Sequence, residues 1–160
     1  GTSLEGWDNI GDANWELADD GSVGADSGNG FLVSAASYGD FELQLEFWVD
    51  EPANSGIFIR CSDGENVGND SCYEVNIYDT RPDPTYRTGG IVNVAAPQAV
   101  INAGGRWNTY EITADDSRLV VTLNGTRTVD IMHDEHMEGP FALQYGAGVV
   151  KFRNVRIRPL

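Results

Sequence analysis

The sequence predicts an all-β protein, an antiparallel β-sandwich or jelly roll, and three observations carry that expectation. Apolar residues return at every second position through most of the chain, the period of a half-buried strand and not of a helix. Turn signals such as Asp20-Gly21, the SGNG run at 27–30 and Asn124-Gly125 cut these runs into short lengths. No stretch has the helical period that parallel crossovers need, and no internal repeat recurs, so about ten short strands with turns between them are expected.

Taken in order, the chain opens with a loop containing Trp7, followed by short strand-like segments around Trp15 to Ala18 and Ser22 to Gly24 on either side of Asp20-Gly21. The glycine cluster leads into FLVS. The clearest strand is DFELQLEFWVD: Phe41, Leu43, Leu45 and Phe47 face one way, Glu42, Gln44, Glu46 and Trp48 the other. GIFIRC should place Phe58 and Arg60 opposite Ile57, Ile59 and Cys61. YEVNIYD should set Glu74, Asn76 and Tyr78 opposite Tyr73, Val75 and Ile77. A face carrying Glu, Asn, Arg and aromatics is expected to be the floor of a groove for a polar ligand. Residues 80–106, rich in Pro, Gly, Asn and Ala, read as a long functional loop with a weak strand at Ile91 to Val94. WNTYEITA and RLVVTLNGTRTVDI then form strands, the second folding into a hairpin at Asn124-Gly125. GPFALQY and VVKFRNVRIRP close the chain, with a break in alternation near Asn154 that suggests a β-bulge.

The chain's 160 residues suit one domain, 1–160, with a substantial core. Ten Lys+Arg against 25 Asp+Glu give a net charge of −15 and no basic stripe, so nucleic acid and anionic lipid are excluded as main partners. No apolar run reaches the roughly 20 residues that cross a bilayer, and membrane insertion is not expected. The first residues, GTSLEGWDN, are not of secretory-signal type, as in a chain that begins after processing. Cys61 and Cys72 flank the polar loop SDGENVGNDS. Closure of the hairpin would let them bridge, which points to a secreted or periplasmic protein; the alternative is two reduced cysteines packed as small apolar groups. The loop's Asp63, Glu65, Asn69 and Asp70 offer hard oxygen donors but lack the ordered EF-hand pattern, and a solvated turn is the expectation.

The strings GW…NW…DG…GNGFL, YGDFELQLEFW, NSGIFIRC, CYEVNIYD, RPDP, WNTYEI, LNG and GPFALQYG…VVKFRNVRIRPL, in this order and from about Trp7 to Leu160, resemble the 3-keto-disaccharide hydrolase domain family. The resemblance implies a concanavalin A-like jelly roll. It also implies a substrate, a glucoside oxidised at C3 by an upstream sugar 3-dehydrogenase, and cleavage by C2 proton abstraction followed by β-elimination or net hydrolysis.

That chemistry asks for a base, a group to stabilise the enolate and a platform for the sugar. Glu74 and Glu46 are the leading carboxylates, expected on neighbouring strands where two close acids raise one pKa or jointly ligate a divalent cation such as Ca²⁺ or Mn²⁺. Arg60 is expected to polarise the C3 carbonyl or to hold a carboxylate in place, unless it forms a plain cross-strand ion pair with Glu46. Asn76, Gln144 and Tyr110 are expected to bind sugar hydroxyls, and Trp48, Tyr78, Trp107 and Tyr145 to stack on the ring. The resemblance implies a His after the LQ of the penultimate strand in many family members; here the run is Gln144-Tyr145-Gly146-Ala147, so either His136, in the loop before it, supplies the imidazole, or the carboxylates carry the catalysis, or the catalytic assignment does not hold for this chain. The only other histidine is His133, and two are too few for a His-rich zinc site. The same fold also hosts lectin-like carbohydrate-binding modules, which are the alternative to an enzyme. A structural or adhesion domain is disfavoured, because the polar residues concentrate on central strands.

Overall fold

The computed structural model describes residues 4–160 as two antiparallel β-sheets packed face to face, a jelly-roll sandwich with no α-helix among the described residues. The strands are β1 (Trp7–Gly11), β2 (Glu16–Leu17), β3 (Val23–Ala25), β4 (Gly30–Ser34), β5 (Phe41–Val49), β6 (Asn54–Ile59), β7 (Tyr73–Ile77), β8 (Arg106–Asp115), β9 (Arg118–Leu123), β10 (Thr126–Met132), β11 (Ala142–Ala147) and β12 (Val150–Pro159). One sheet has the order β1-β4-β11-β6-β7, the other β10-β9-β8-β5-β12-β3-β2.

Alternation fixes which side chains meet between the sheets. Phe41, Leu43, Leu45, Phe47 and Val49 of β5 are all at most 1% exposed, and the facing layer includes Ile57, Ile59, Tyr73, Val75, Ile77 and Leu143. At the expected hairpin, Asn124 (φ 50°) and Gly125 (φ 83°) both adopt the left-handed conformation that a two-residue turn of matching twist requires, and Leu123 pairs with Thr126. The bulge near Asn154 is present as well: this residue has φ 53°, and the β12–β5 register shifts between Arg153 and Arg156.

Three local expectations are corrected. Trp7–Gly11 is a strand, since β4 supplies a hydrogen-bonding partner along its whole length. Ile91 to Val94 is not a strand. Ile91 makes only isolated bridges, to Val75 and Ala95, because Asn93 at φ 63° turns the chain. Cys61 does not face the core with Ile57 and Ile59. Arg60 sits at φ 51°, outside extended geometry, so the alternation ends there and Cys61 turns to the outer side.

On that outer side of the five-stranded sheet, Val33, Phe58, Cys61, Cys72 and Ala142 form a second apolar cluster, with Ile10, Phe31 and Val67 packed against it. Cys61 and Cys72 are disulfide-bonded, with their Cα atoms 4.2 Å apart. The bridge ties the 62–71 loop down at both ends while Val67 holds it against the sheet. Closing a loop of 11-residue separation restrains the unfolded chain, so Cys61→Ser/Cys72→Ser is expected to lose about 3 kcal/mol in denaturant unfolding. A loss under about 1 kcal/mol would show that strain or residual unfolded structure cancels the restraint.

Candidate functional site

The outer face of the five-stranded sheet has an apolar half under the disulfide loop and a polar half at the β6–β7 edge. Register places Glu74 opposite Phe58, Asn76 opposite Gly56, and Gln144 of β11 opposite Gly56 on the other side. Glycine at 56 leaves a dip in the sheet. A Cβ built there would lie 3.3 Å from Gln144 Oε1 and 3.5 Å from Glu74 Cγ, so these two side chains converge over the space a side chain would occupy. Gln144 Oε1 is buried without a hydrogen-bond partner among the described residues.

Glu74 makes no side-chain hydrogen bond to the described protein residues. Burial beside Phe58, with nothing to replace the lost water, raises its carboxyl from the ordinary value of 4.5 to about 7, while the nearby Arg81 charge pulls the other way. Arg81 stands on the connection after β7, its guanidinium carbon 5.6 Å from the Tyr78 ring centroid and 5.2 Å from that of Tyr86. These cation–π contacts hold the cation in place while leaving its N–H groups without acceptors among the described residues. The connection is itself tied down. Asn76 Nδ2 donates to the Tyr86 carbonyl, Arg87 Nε donates 2.8 Å to the Arg81 carbonyl, and Asp83 caps the one-turn 3-10 helix Pro84–Tyr86 by accepting from Thr85 N.

Glu46 and Glu74 do not meet. They were expected on neighbouring strands, but β5 and β7 belong to different sheets, and each carboxylate points away from the core between them. The pair therefore cannot share a metal ion, and among the described residues no group of three His, Cys, Asp or Glu is placed to hold one. Glu46 instead accepts from Arg153 at 3.2 Å and from Asn154, which together hold its carboxyl below the usual range. Trp48 and Trp107 share that far face, under Lys151 Nζ at 5.0 Å and Arg153 Cζ at 3.7 Å.

Arg60 is wholly buried and does not reach Glu74 or pair with Glu46. It donates to the carbonyls of Gly39 (2.9 Å) and Asp116 (2.7 Å) and to Asp40 Oδ1 (3.1 Å), clamping the end of β6 to connections of the other sheet. His136 lies across β7 from Glu74: it packs edge-on against Tyr73, ring centroids 5.0 Å apart, and Tyr73 points into the core. The Tyr73 hydroxyl is 2.8 Å from His133 Nδ1 and accepts from His136 N at 3.2 Å.

Three other predicted sugar contacts are committed to the fold. Tyr110, fully buried on β8, donates to the Asn76 carbonyl at 2.6 Å and accepts from Gly89 N, and burial pushes its phenol far up. The Asn76 side chain is used by Tyr86 and Ile77 N. Tyr145 faces the core and donates to the Gly148 carbonyl at 2.7 Å. Of the sequence-derived set, Glu74, Gln144 and Tyr78 remain on one polar patch.

The sequence matches the model of the 3-keto-alpha-glucoside-1,2-lyase-like domain over residues 1–158. The chain belongs to this family. The fold is similar to that of two Parabacteroides distasonis proteins provisionally named glycosyl hydrolases. One is 18% identical with a TM-score of 0.85, covering 97% of this chain and 88% of that one. The other is 23% identical with a TM-score of 0.79, covering 96% and 99%. A carbohydrate-binding module of Bacillus subtilis has a TM-score of 0.75 at 18% identity, covering 96% and 95%. No curated protein matches the chain.

Within this lyase-like domain, the cation near the polar patch is Arg81, which the sequence argument passed over. Its signal was the RPDP run flanked by Tyr78 and Tyr86, since two tyrosines around an arginine can cage it. Gly56 was passed over as well, because a strand glycine declares its purpose only when its neighbours are known. Gly56→Ala tests the dip directly. The backbone at 56 has ordinary strand geometry, but the new methyl would sit 3.2 Å from the Val75 carbonyl and 3.3 Å from Gln144 Oε1, pressing on both, and would touch Glu74 at ordinary contact distance. Ligand affinity is expected to fall about tenfold or more with under about 1.5 kcal/mol lost in stability. Unchanged affinity would remove Gly56 from the site.

Proposed function

We propose that this protein cleaves glycosides whose glucose-type ring carries a ketone at C3, with Glu74 as the base. The ketone acidifies the C2 hydrogen. Glu74 takes that proton, and the C–H electron pair moves into a C2–C3 enolate. When the enolate collapses, the C3 carbonyl returns, C1=C2 forms and the C1–O bond breaks. The leaving oxygen is protonated by Glu74 or by water, and addition of water to the enone gives net hydrolysis with no change of redox state.

The observation that carries this reading is a carboxyl raised to about 7 without a protein hydrogen bond, set beside Gln144 over the Gly56 dip. A base titrating near neutral pH is present in its active form yet still basic enough to take a proton from carbon. Arg81 is the cation for the enolate oxygen, the role the sequence assigned to Arg60. Family membership supports the substrate class, and the disulfide supports an extracytoplasmic setting. Glu46 and Glu74, the residues expected to bind a divalent ion, lie on opposite faces and do not share one. The substrate must come from a dehydrogenase that oxidises C3.

Incubation with a C3-oxidised disaccharide, with and without chelator, tests the reading by following free sugar and enone absorbance. Release at the same rate under both conditions is expected. Measurable binding without turnover would make the domain a carbohydrate-binding module, and absence of both would sink the proposal.

A further inference from the structure

Beyond the end of β7, where the connection that follows it meets the other sheet, lies a feature that the proposed reaction does not use. Where the outer face of the seven-stranded sheet meets the loops, Trp48, Asp50, Glu51, Asp79, Thr80 and Asn102 wall a hollow of about 350 Å³. A second hollow of about 180 Å³ shares Asp79 and Asn102 and is otherwise mainly apolar, with Pro84, Pro97, Val100 and Ile101 in its wall. Val100 is 83% exposed, more than any other large hydrophobic residue described.

The shared rim is held in shape. Asp79 Oδ1 accepts from Thr88 Oγ1 at 2.6 Å, and its Oδ2 accepts from Ala103 N and Gly104 N, both at 2.9 Å. Asp50 Oδ1 accepts from Val149 N at 3.1 Å. Lys151 caps the Trp48 indole, fixing the ring while part of it lines the hollow. Among the described residues, no partner engages the second Asp50 oxygen, the Glu51 carboxylate or the Asn102 side-chain amide. These groups and an indole are what a sugar needs: acceptors and donors for its hydroxyls, and an apolar surface for its C–H face.

We infer that this rim is a second carbohydrate site, binding a neutral glycoside with its sugar ring at Trp48 and an apolar aglycone in the Pro97–Val100 hollow. Charge selects the class. Asp50, Glu51 and Asp79 outnumber the cations here, Arg87 in the second hollow and Lys151 on the Trp48 ring, and in a chain of net charge −15 they disfavour an acidic sugar. A metal ion is disfavoured too, because Asp79 has both oxygens bonded and Asp50 has one. Volume selects the size: the two hollows suit one ring and one small apolar group. The sugar-ring end of the site is separate from the Glu74 patch, since Trp48 and Glu74 occupy outer faces of different sheets, although Asp79, Thr80 and Pro84 of its walls share a connection with Arg81.

The test is calorimetric titration with 4-nitrophenyl β-D-glucopyranoside, methyl β-D-glucopyranoside and glucuronate against the unmodified chain, Trp48→Ala, Asn102→Ala, Val100→Asp and Glu74→Gln. The nitrophenyl glucoside is expected to bind best, to bind Glu74→Gln as well as the unmodified chain, and to lose about fivefold or more in Trp48→Ala. Val100→Asp should weaken the nitrophenyl glucoside more than the methyl one. Asn102→Ala, a loop substitution, keeps the test decisive if Trp48→Ala does not fold. No binding of either glucoside, tighter binding of glucuronate, affinity unchanged in both Trp48→Ala and Asn102→Ala, or affinity lost only in Glu74→Gln would each overturn the assignment.

Discussion

Glu74→Gln is expected to lower turnover of a C3-oxidised glucoside by about 10²-fold or more and, at the same time, to make the protein more stable above neutral pH. Both effects follow from one carboxyl. In the unfolded chain it titrates near its ordinary 4.5, in the folded chain near 7. Below pH 4.5 both states hold the proton and folding has its full benefit. As pH rises through 7 the folded protein must ionise a poorly solvated acid, and that benefit is lost. The unmodified chain should therefore lose on the order of 1–3 kcal/mol relative to Glu74→Gln between pH 5 and 8, the lower part of the range reflecting partial solvent access. The rate constant kcat/KM should rise with pH and level off above about 7, because the base works only when deprotonated. Paired denaturation curves and a pH–rate profile check this. A glutamine variant with undiminished turnover, or with no gain in relative stability at pH 8, would take Glu74 out of the mechanism.

Arg60→Met should have the largest effect on stability, about 3–5 kcal/mol, with little effect on the shape of the pH–rate profile. The guanidinium is fully buried and supplies donors to Gly39 O, Asp116 O and Asp40 Oδ1, with His136 O at 3.4 Å. Methionine fills part of the volume but leaves the carbonyls without donors. Asp40, which is 42% exposed, can regain water, so most of the loss comes from the carbonyls and the packing. The measurement is the denaturant midpoint at unchanged slope, with residual turnover measured on the folded fraction. Near-native stability with abolished turnover would instead restore Arg60 to the catalytic role its sequence position suggested.

The two arginines show where reading the chain as a string ran short. Arg60 follows a strand with clean alternation, so extrapolating that period put it on the polar face; its φ of 51° breaks the period and sends the side chain to carbonyls in the connections of the opposite sheet. Arg81 lies in a segment with no period at all, and only the folded loop brings it near Glu74. The pairing of Glu46 with Glu74 failed for a related reason. Each was correctly placed on the outward side of its own strand, but being outward in two different sheets puts the core between them.

Sequence alone determined what depends on neighbours a few residues apart: the all-β class, the Asn124-Gly125 hairpin, the bulge at Asn154, the core faces of β5 and β7, and the outward aim of Glu74. These follow from side-chain alternation and from residues that tolerate left-handed backbone. Tertiary structure decided which strands share a sheet, which outward groups share a face, and which polar side chains become internal struts, as Arg60, Asn76 and Tyr110 do. Those outcomes rest on long-range pairing and on the need of every buried donor and acceptor for a partner, and the partner can be dozens of residues away.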